Sequence, residues 1–288
     1  MTTSDPSGQS GLSTPAAADK SGPAAADQAR PAAGRPGSGG MPASAMVLAA
    51  GLGTRMRPLS DDRPKPLVEV AGRPLIDWTL DRLVEVGVPR IVVNTHHHAA
   101  RLSAHLAGLR AELATRSGGA IELLESHEET LLETGGGVAK ALPLLGDAPF
   151  FVSNSDQILL NGPTPACEVL ARAFDPERMD ALLLLVPMPY ALGYGGTGDF
   201  VMDQLGQLRR RHEWEVAPYL YSGLQILSPA LFTDLPEGPF SLNLLFNRAI
   251  ERERLYGVVH DGVYMAVGTP QAVRLADRVV RGRHDLIG

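Results

Sequence analysis

From Ala45 onward, short continuous apolar runs take turns with stretches whose apolar residues recur at helical spacing. Few folds satisfy that alternation. "AMVLAA", "RIVVN", "PFFVSNSD" and "MDALLLLVPM" read as strands buried on both faces. Between them, "PLIDWTLDRLVEVG" and "AARLSAHLAGL" read as helices, the first with Pro74 at a helix start, where its missing N–H costs nothing. "AIELLES" adds a strand, and "VAKALPLLG" a short helix after a glycine-rich break. Strands regularly separated by helices predict a mostly parallel sheet with helices on both faces. The second half is less regular. "DFVMD", "QLRRRHEW" and "YLYSGLQIL" read as strands, partly antiparallel, and "SLNLLFNRAIERERL" as a helix capped by Ser241. "LYGVVHDGVYMAVG" reads as a hairpin turning at Asp261-Gly262, and "PQAVRLADRVVRG" as a closing helix.

Residues 1–44 are a different material, built of Ala, Pro, Gly and Ser with almost no large apolar side chain. They bury too little surface to offset chain entropy, so a disordered tail is expected, followed by a single domain over residues 45–288. The net charge of −6 argues against nucleic acid or an anionic membrane as partner. No apolar run reaches the roughly 18 residues of a membrane helix; "ALLLLVPMPY" is broken by Pro187 and Pro189. The single cysteine, Cys167, forms no internal disulfide, which fits a reducing, cytoplasmic compartment. His96, His97 and His98 read as a loop edge, because successive side chains diverge.

Ligands of such sheets sit at the carboxyl ends of the strands. There the first strand runs into "GLGTRMRPLSDDRPKPL", from Gly51 to Leu67. A dinucleotide loop would carry a third glycine, and an ATP loop would end in G-K-[ST]; neither is present. What remains is backbone N–H freed by glycine, with Arg55, Arg57 and Lys65, the last restrained between Pro64 and Pro66. Amides with fixed cations suit a triphosphate.

The stretch "LAAGLGTRMRPLSDDRPKPLVEVAGRPLI" resembles the signature of the sugar-1-phosphate nucleotidylyltransferases. The resemblance continues through "LLETGGGVAKALPLLGDAPFFVSNSD", "GDF", "YSGLQIL" and "VGTP", and so covers nearly all of residues 45–288. Within the family, "ETGGG" followed by "KALPLLG" is most similar to bacterial N-acetylmuramate-1-phosphate uridylyltransferases. Mannose-1-phosphate guanylyltransferases and other hexose-1-phosphate relatives come next. The resemblance implies a Rossmann-like three-layer α/β/α fold with a mixed, mostly parallel sheet. Residues 45–160 would hold the nucleotide and residues 161–288 the sugar phosphate. It implies transfer of a nucleotidyl group, best from UTP, to a sugar-1-phosphate, best N-acetylmuramate-1-phosphate, with release of pyrophosphate and a role in cell-wall recycling.

By the same resemblance, Ala49, Ala50, Gly51, Leu52, Gly53 and Thr54 line the nucleotide, Arg55 holds its phosphates and Lys65 lies over the α-phosphate. Glu133, Gly135 and Gly136 border the base, with Glu133 either reading a base edge or capping local amides. Asp156 is the implied Mg²⁺ ligand. Asn154, Gly198, Asp199, Ser222, Gly223 and Asn243 match places that touch the sugar; the family's usual cation for the sugar phosphate has no recognisable counterpart, and Arg209 to Arg211 are the candidates for it. One position departs from the family: Ala266 stands where an acidic residue commonly gives the metal a second carboxylate. Two outcomes follow, a working enzyme on Asp156 alone or a nucleotide-sugar-binding protein with impaired turnover.

Overall fold

The computed structural model describes residues 40–117 and 120–287. The expected disordered tail therefore lies outside the described residues over 1–39. In chain order the first half forms β1 (Ser44–Leu48), a short antiparallel pair of β2 (Glu69–Val70) and β3 (Arg73–Pro74), α1 (Leu75–Glu85), β4 (Arg90–Thr95), α2 (Ala99–Ser117), β5 (Glu122–His127), α3 (Glu133–Leu145), β6 (Phe150–Asn154) and β7 (Gln157–Leu160). There follow α4 (Ala166–Ala173), β8 (Ala181–Pro187), β9 (Ala191–Leu192), β10 (Phe200–Met202), β11 (Leu208–Arg210), β12 (Tyr219–Leu227), α5 (Leu242–Glu251), β13 (Leu255–Val259), β14 (Val263–Ala266) and α6 (Pro270–Ile287).

The main sheet runs β5-β4-β1-β6-β12-β8-β13. All of these strands are parallel except β12, which is antiparallel to both neighbours. β10 and β11 extend antiparallel from the start of β12, through Phe200 opposite Tyr219. Side chains alternate between two cores. Leu182, Leu184 and Val186 of β8 belong to one core with Leu80 and Leu83 of α1, Leu102 of α2 and Leu170 of α4. Leu183 and Leu185 face the other way, into the core that also holds Val138 and Ala141 of α3 and Leu245 and Phe246 of α5. A strand buried on both faces has no polar side to show, which is why β8 reads as an unbroken apolar run. Each such leucine contributes roughly 1.5–3 kcal/mol.

Two expectations are corrected. The segment around Asp261-Gly262 does not form a hairpin: β13 pairs parallel with β8 in the main sheet, while β14 pairs antiparallel with β7 and parallel with β9 in a second, small sheet. The apolar residues of β13 are claimed by the core under β8, so the turn carries the chain from one sheet to another. The glycines of "ETGGG" are not a break before a helix; α3 starts at Glu133 and contains them. The second sheet has a core of its own, in which Ile158, Met265 and Val267 pack with Val70, Ala276, Val280 and Met56. Met56 belongs to the loop after β1, so this core anchors the cation-bearing loop. Among the described residues, no helix is long and apolar enough to cross a membrane.

Candidate active site

The loop that leaves β1 lines a cavity of about 480 Å³ at the carboxyl end of the main sheet. Ala49, Ala50, Gly51, Leu52, Gly53, Thr54 and Arg55 all face it. Arg55 is exposed and has no carboxylate partner among the described residues. Two buried side chains fix the loop from behind. Ala49 N–H donates to Asn94 Oδ1 at 2.6 Å, and Asn94 Nδ2 donates to Glu128 Oε1 at 2.7 Å. Glu128 Oε2 in turn accepts from Leu132 N–H at 2.9 Å. Asn94 and Glu128 are both buried, so this relay ties the loop to the start of α3 without solvent competition. Sequence reasoning passed over both residues; the only signal was a polar residue closing each of two apolar strands.

Lys65 and Asp156 also line the cavity, and Lys65 Nζ stands 2.5 Å from Asp156 Oδ2. Asp156 follows β6, where Ser155 Oγ donates to Leu48 O at 2.7 Å and holds the two strand ends together. Asp156 O accepts from Val267 N–H at 3.0 Å, and Ala266 pairs with Gln157 across β14 and β7. Position 266 is thus beside Asp156, and alanine brings no carboxylate there. Asp261 cannot substitute, because it sits at the far end of β14 against Gly162. Among the described residues no group of three or more His, Cys, Asp or Glu could hold a metal ion. One carboxylate facing an open cavity fits a hard cation that takes its other ligands from phosphates and water.

The "ETGGG" residues divide. Glu133 lines the cavity and holds φ at 59°, a left-handed conformation uncommon outside glycine. Gly135 and Gly136 do not line it: both amides donate to Phe240 O, at 2.8 and 3.1 Å, and the residues are buried. A Cβ on Gly135 would come 2.4 Å from the Phe240 ring, and one on Gly137 would press on Asn94 and Glu128. These glycines let helix and chain approach each other, which displaces the expectation that they approach a flat base.

Beyond the first cavity the cleft continues. A chamber of about 230 Å³ shares Thr134, Asn154 and Ser241 with it. That chamber shares Asp199, Arg210 and Asn243 with an outer one of about 430 Å³, which Gly198 also lines. Asp199 Oδ2 accepts from Tyr221 N–H at 2.9 Å, and burial pushes its carboxyl above the usual range. Ser222 and Gly223 line none of these three chambers. Ser222 is buried, and its hydroxyl accepts from Leu224 N–H. Gly223 lies so close to Gln157 and Asn154 that a Cβ would come 2.1 Å from Gln157 Oε1 and 2.8 Å from Asn154 Nδ2.

The model of the nucleotidyl transferase family matches residues 44–197. The N-acetylmuramate alpha-1-phosphate uridylyltransferase of Caulobacter vibrioides is 46% identical over 237 residues, covering 82% of this chain and 96% of that protein. The enzyme of the same name from Neisseria meningitidis serogroup B is 38% identical over 230 residues, covering 78% and 93%. A UDP-glucose pyrophosphorylase solved with UDP-glucose superposes with a TM-score of 0.67 at 14% identity, over 83% of this chain and 98% of that one. That likeness concerns the fold.

Proposed function

The chain belongs to the nucleotidyl transferase family, and from that premise we propose that it joins UTP to N-acetylmuramate α-1-phosphate, yielding the UDP-sugar and pyrophosphate. The observation that carries this is the meeting of Lys65 and Asp156 on the same cavity as the Ala49–Arg55 loop. The extent of the likeness to two uridylyltransferases supports the choice of base and sugar.

An oxygen of the sugar phosphate attacks the α-phosphorus. A new P–O bond forms as the α–β bond breaks, and pyrophosphate leaves with the electron pair. No enzyme-bound intermediate is needed, so the protein positions and neutralises. Arg55 and the loop amides hold the triphosphate, and Lys65 offsets charge on the α-phosphate as it builds. Asn154 and Asp199 face the middle chamber and orient the sugar. Magnesium, when bound, would be held by Asp156 and would neutralise phosphate oxygens. We take the reaction to run in the cytoplasm, where UTP is made, and to serve reuse of cell-wall sugars.

Ala266 supports a second reading, a nucleotide-sugar-binding protein with little turnover. Pyrophosphate release from UTP and a panel of sugar-1-phosphates separates the two. The first reading expects release with N-acetylmuramate α-1-phosphate. It also expects that Ala266→Asp lowers, several-fold, the Mg²⁺ concentration needed for half-maximal rate. Release only from Ala266→Asp, with UTP bound by both proteins, would establish the second.

A further inference from the structure

Two of the stretches that line the first cavity are far apart in the chain: the loop after β1, and the turn into α3 with Leu131, Glu133 and Thr134. Asn94 of β4 and Glu128, the residue after β5, join them. Asn94 Oδ1 takes the Ala49 N–H at 2.6 Å, which turns the Asn94 NH₂ toward Glu128 Oε1, 2.7 Å away. Glu128 Oε2 takes the N–H of Leu132 at 2.9 Å. Leu132 immediately precedes α3, and its own carbonyl accepts from Phe240 N–H at 3.2 Å. The direction of every bond is fixed. Asn94 accepts at one end and donates at the other, and Glu128 accepts at both.

Packing holds the middle of this chain as tightly as its ends. A Cβ on Gly137 of α3 would stand 2.7 Å from Glu128 Oε1 and 2.8 Å from Asn94 Nδ2, so the helix backbone presses on the bond between them. The backbone of Glu128 is held as well: its N–H donates to Thr95 O at 2.8 Å, and its C=O accepts from His96 Nδ1 at 3.0 Å. Asn94 is 3% exposed and Glu128 0%, so water does not compete for these bonds. A carboxylate at the N-terminal end of a helix is further favoured by the helix dipole. A displacement of Ala49 is therefore passed on to Leu132, and the reverse.

We propose that Asn94 and Glu128 are positioning residues that couple the two halves of the nucleotide site, so that a triphosphate on the loop tightens the hold on the base and the base helps to align the triphosphate. This rests on the reading above, with the triphosphate of UTP on the Ala49–Arg55 loop and its base at the start of α3. Either fragment alone must order both halves, whereas the whole nucleotide orders them once.

The test is a calorimetric cycle with inorganic tripolyphosphate and uridine as probes, each titrated alone and in the presence of the other. In the wild type, tripolyphosphate should lower the uridine Kd at least about fivefold. Glu128→Gln sets an NH₂ against a donor, and Asn94→Asp sets a carboxylate against the carboxylate of Glu128. Each should bring the coupling below about twofold. Combining Asn94→Asp with Glu128→Gln reverses the middle bond and satisfies every group: the new glutamine donates to the new aspartate, which still accepts from Ala49 N–H. The double variant should regain the coupling. A misfolded fraction changes the stoichiometry of binding and leaves the ratio of dissociation constants alone. Coupling that survives in both single variants, or is missing from a wild type that binds UTP, would overturn the proposal. Coupling lost in the single variants and not regained in the double variant would assign both residues to packing and overturn it too. A wild type that binds no UTP would refute the functional reading, and the proposal with it.

Discussion

At the inner end of the cleft an unbroken run from Leu48 to Met56 lines the cavity. At the outer end the lining comes from three distant places, around Gly198, Arg210 and Asn243. The inner end offers backbone amides and cations on one loop, pinned by a buried asparagine and glutamate. The outer end offers side chains that hold one another, arginine to asparagine and aspartate to amide. A triphosphate is the same in every enzyme that uses one, so a loop shaped by its own chain serves. A sugar is known by its substituents, and these are met by side chains drawn from several elements.

The contrast is broken first at the pair proposed to do the chemistry. Lys65→Ala and Asp156→Ala should each lower the rate of pyrophosphate release more than ~100-fold. Rates near wild type would remove both residues from the reaction. Two glycines then separate ligand space from packing space. Gly135→Ala forces a Cβ against Phe240, and denaturant melts should show a loss of about 1–3 kcal/mol. Gly51 has an ordinary backbone, and an added Cβ would meet nothing within 4 Å. Gly51→Ala should therefore leave the melt unchanged or raise it by about 0.4–1 kcal/mol, while weakening UTP binding measured by calorimetry. A destabilised Gly51→Ala would mean that the inner loop is shaped by packing after all.

The smallest effect concerns the scaffold under the inner end, where His105 Nε2 of α2 lies 2.6 Å from Asp77 Oδ1 of α1. The hydrogen bond to Asp77 raises the His105 pKa above its ordinary value of 6.5. A raised histidine stabilises the fold fully below the unfolded pKa, and that contribution fades as pH rises through the folded one. His105→Gln should therefore cost about 0.5–1 kcal/mol near pH 5.5 and little near pH 8.5. A cost independent of pH would show that the contact does not depend on charge.

The sequence made the inner end legible because its parts are neighbours in the chain, and Gly51 to Lys65 can be read as one phrase. The sheet was legible for a similar reason, since strands such as β8 carry their burial in an unbroken apolar run. Asn94 and Glu128 were not, because a single polar residue at a strand end means nothing until its partner is known. Asp261-Gly262 misled, because turn residues announce a reversal but not which sheet receives the next strand. The arginines were visible as three alike; Glu215 is what makes Arg209 different from its neighbours.

β12 touches both ends of the cleft. Its start carries the Tyr221 amide that holds Asp199, and its end pairs with β6, which delivers Asp156. Between them β12 advances from Tyr221 to Gln225 while β8 moves only from Leu185 back to Leu183. The interval between the two ends of the cleft is therefore a dimension of the backbone, like the throat of a gauge. One residue of strand is about 3.3 Å, and an error near 1 Å between reacting groups already costs about a hundredfold. On the proposed function, side chains along the cleft can change and give a different sugar, whereas a residue gained or lost beside Gly223 would leave both substrates bound and out of reach of each other.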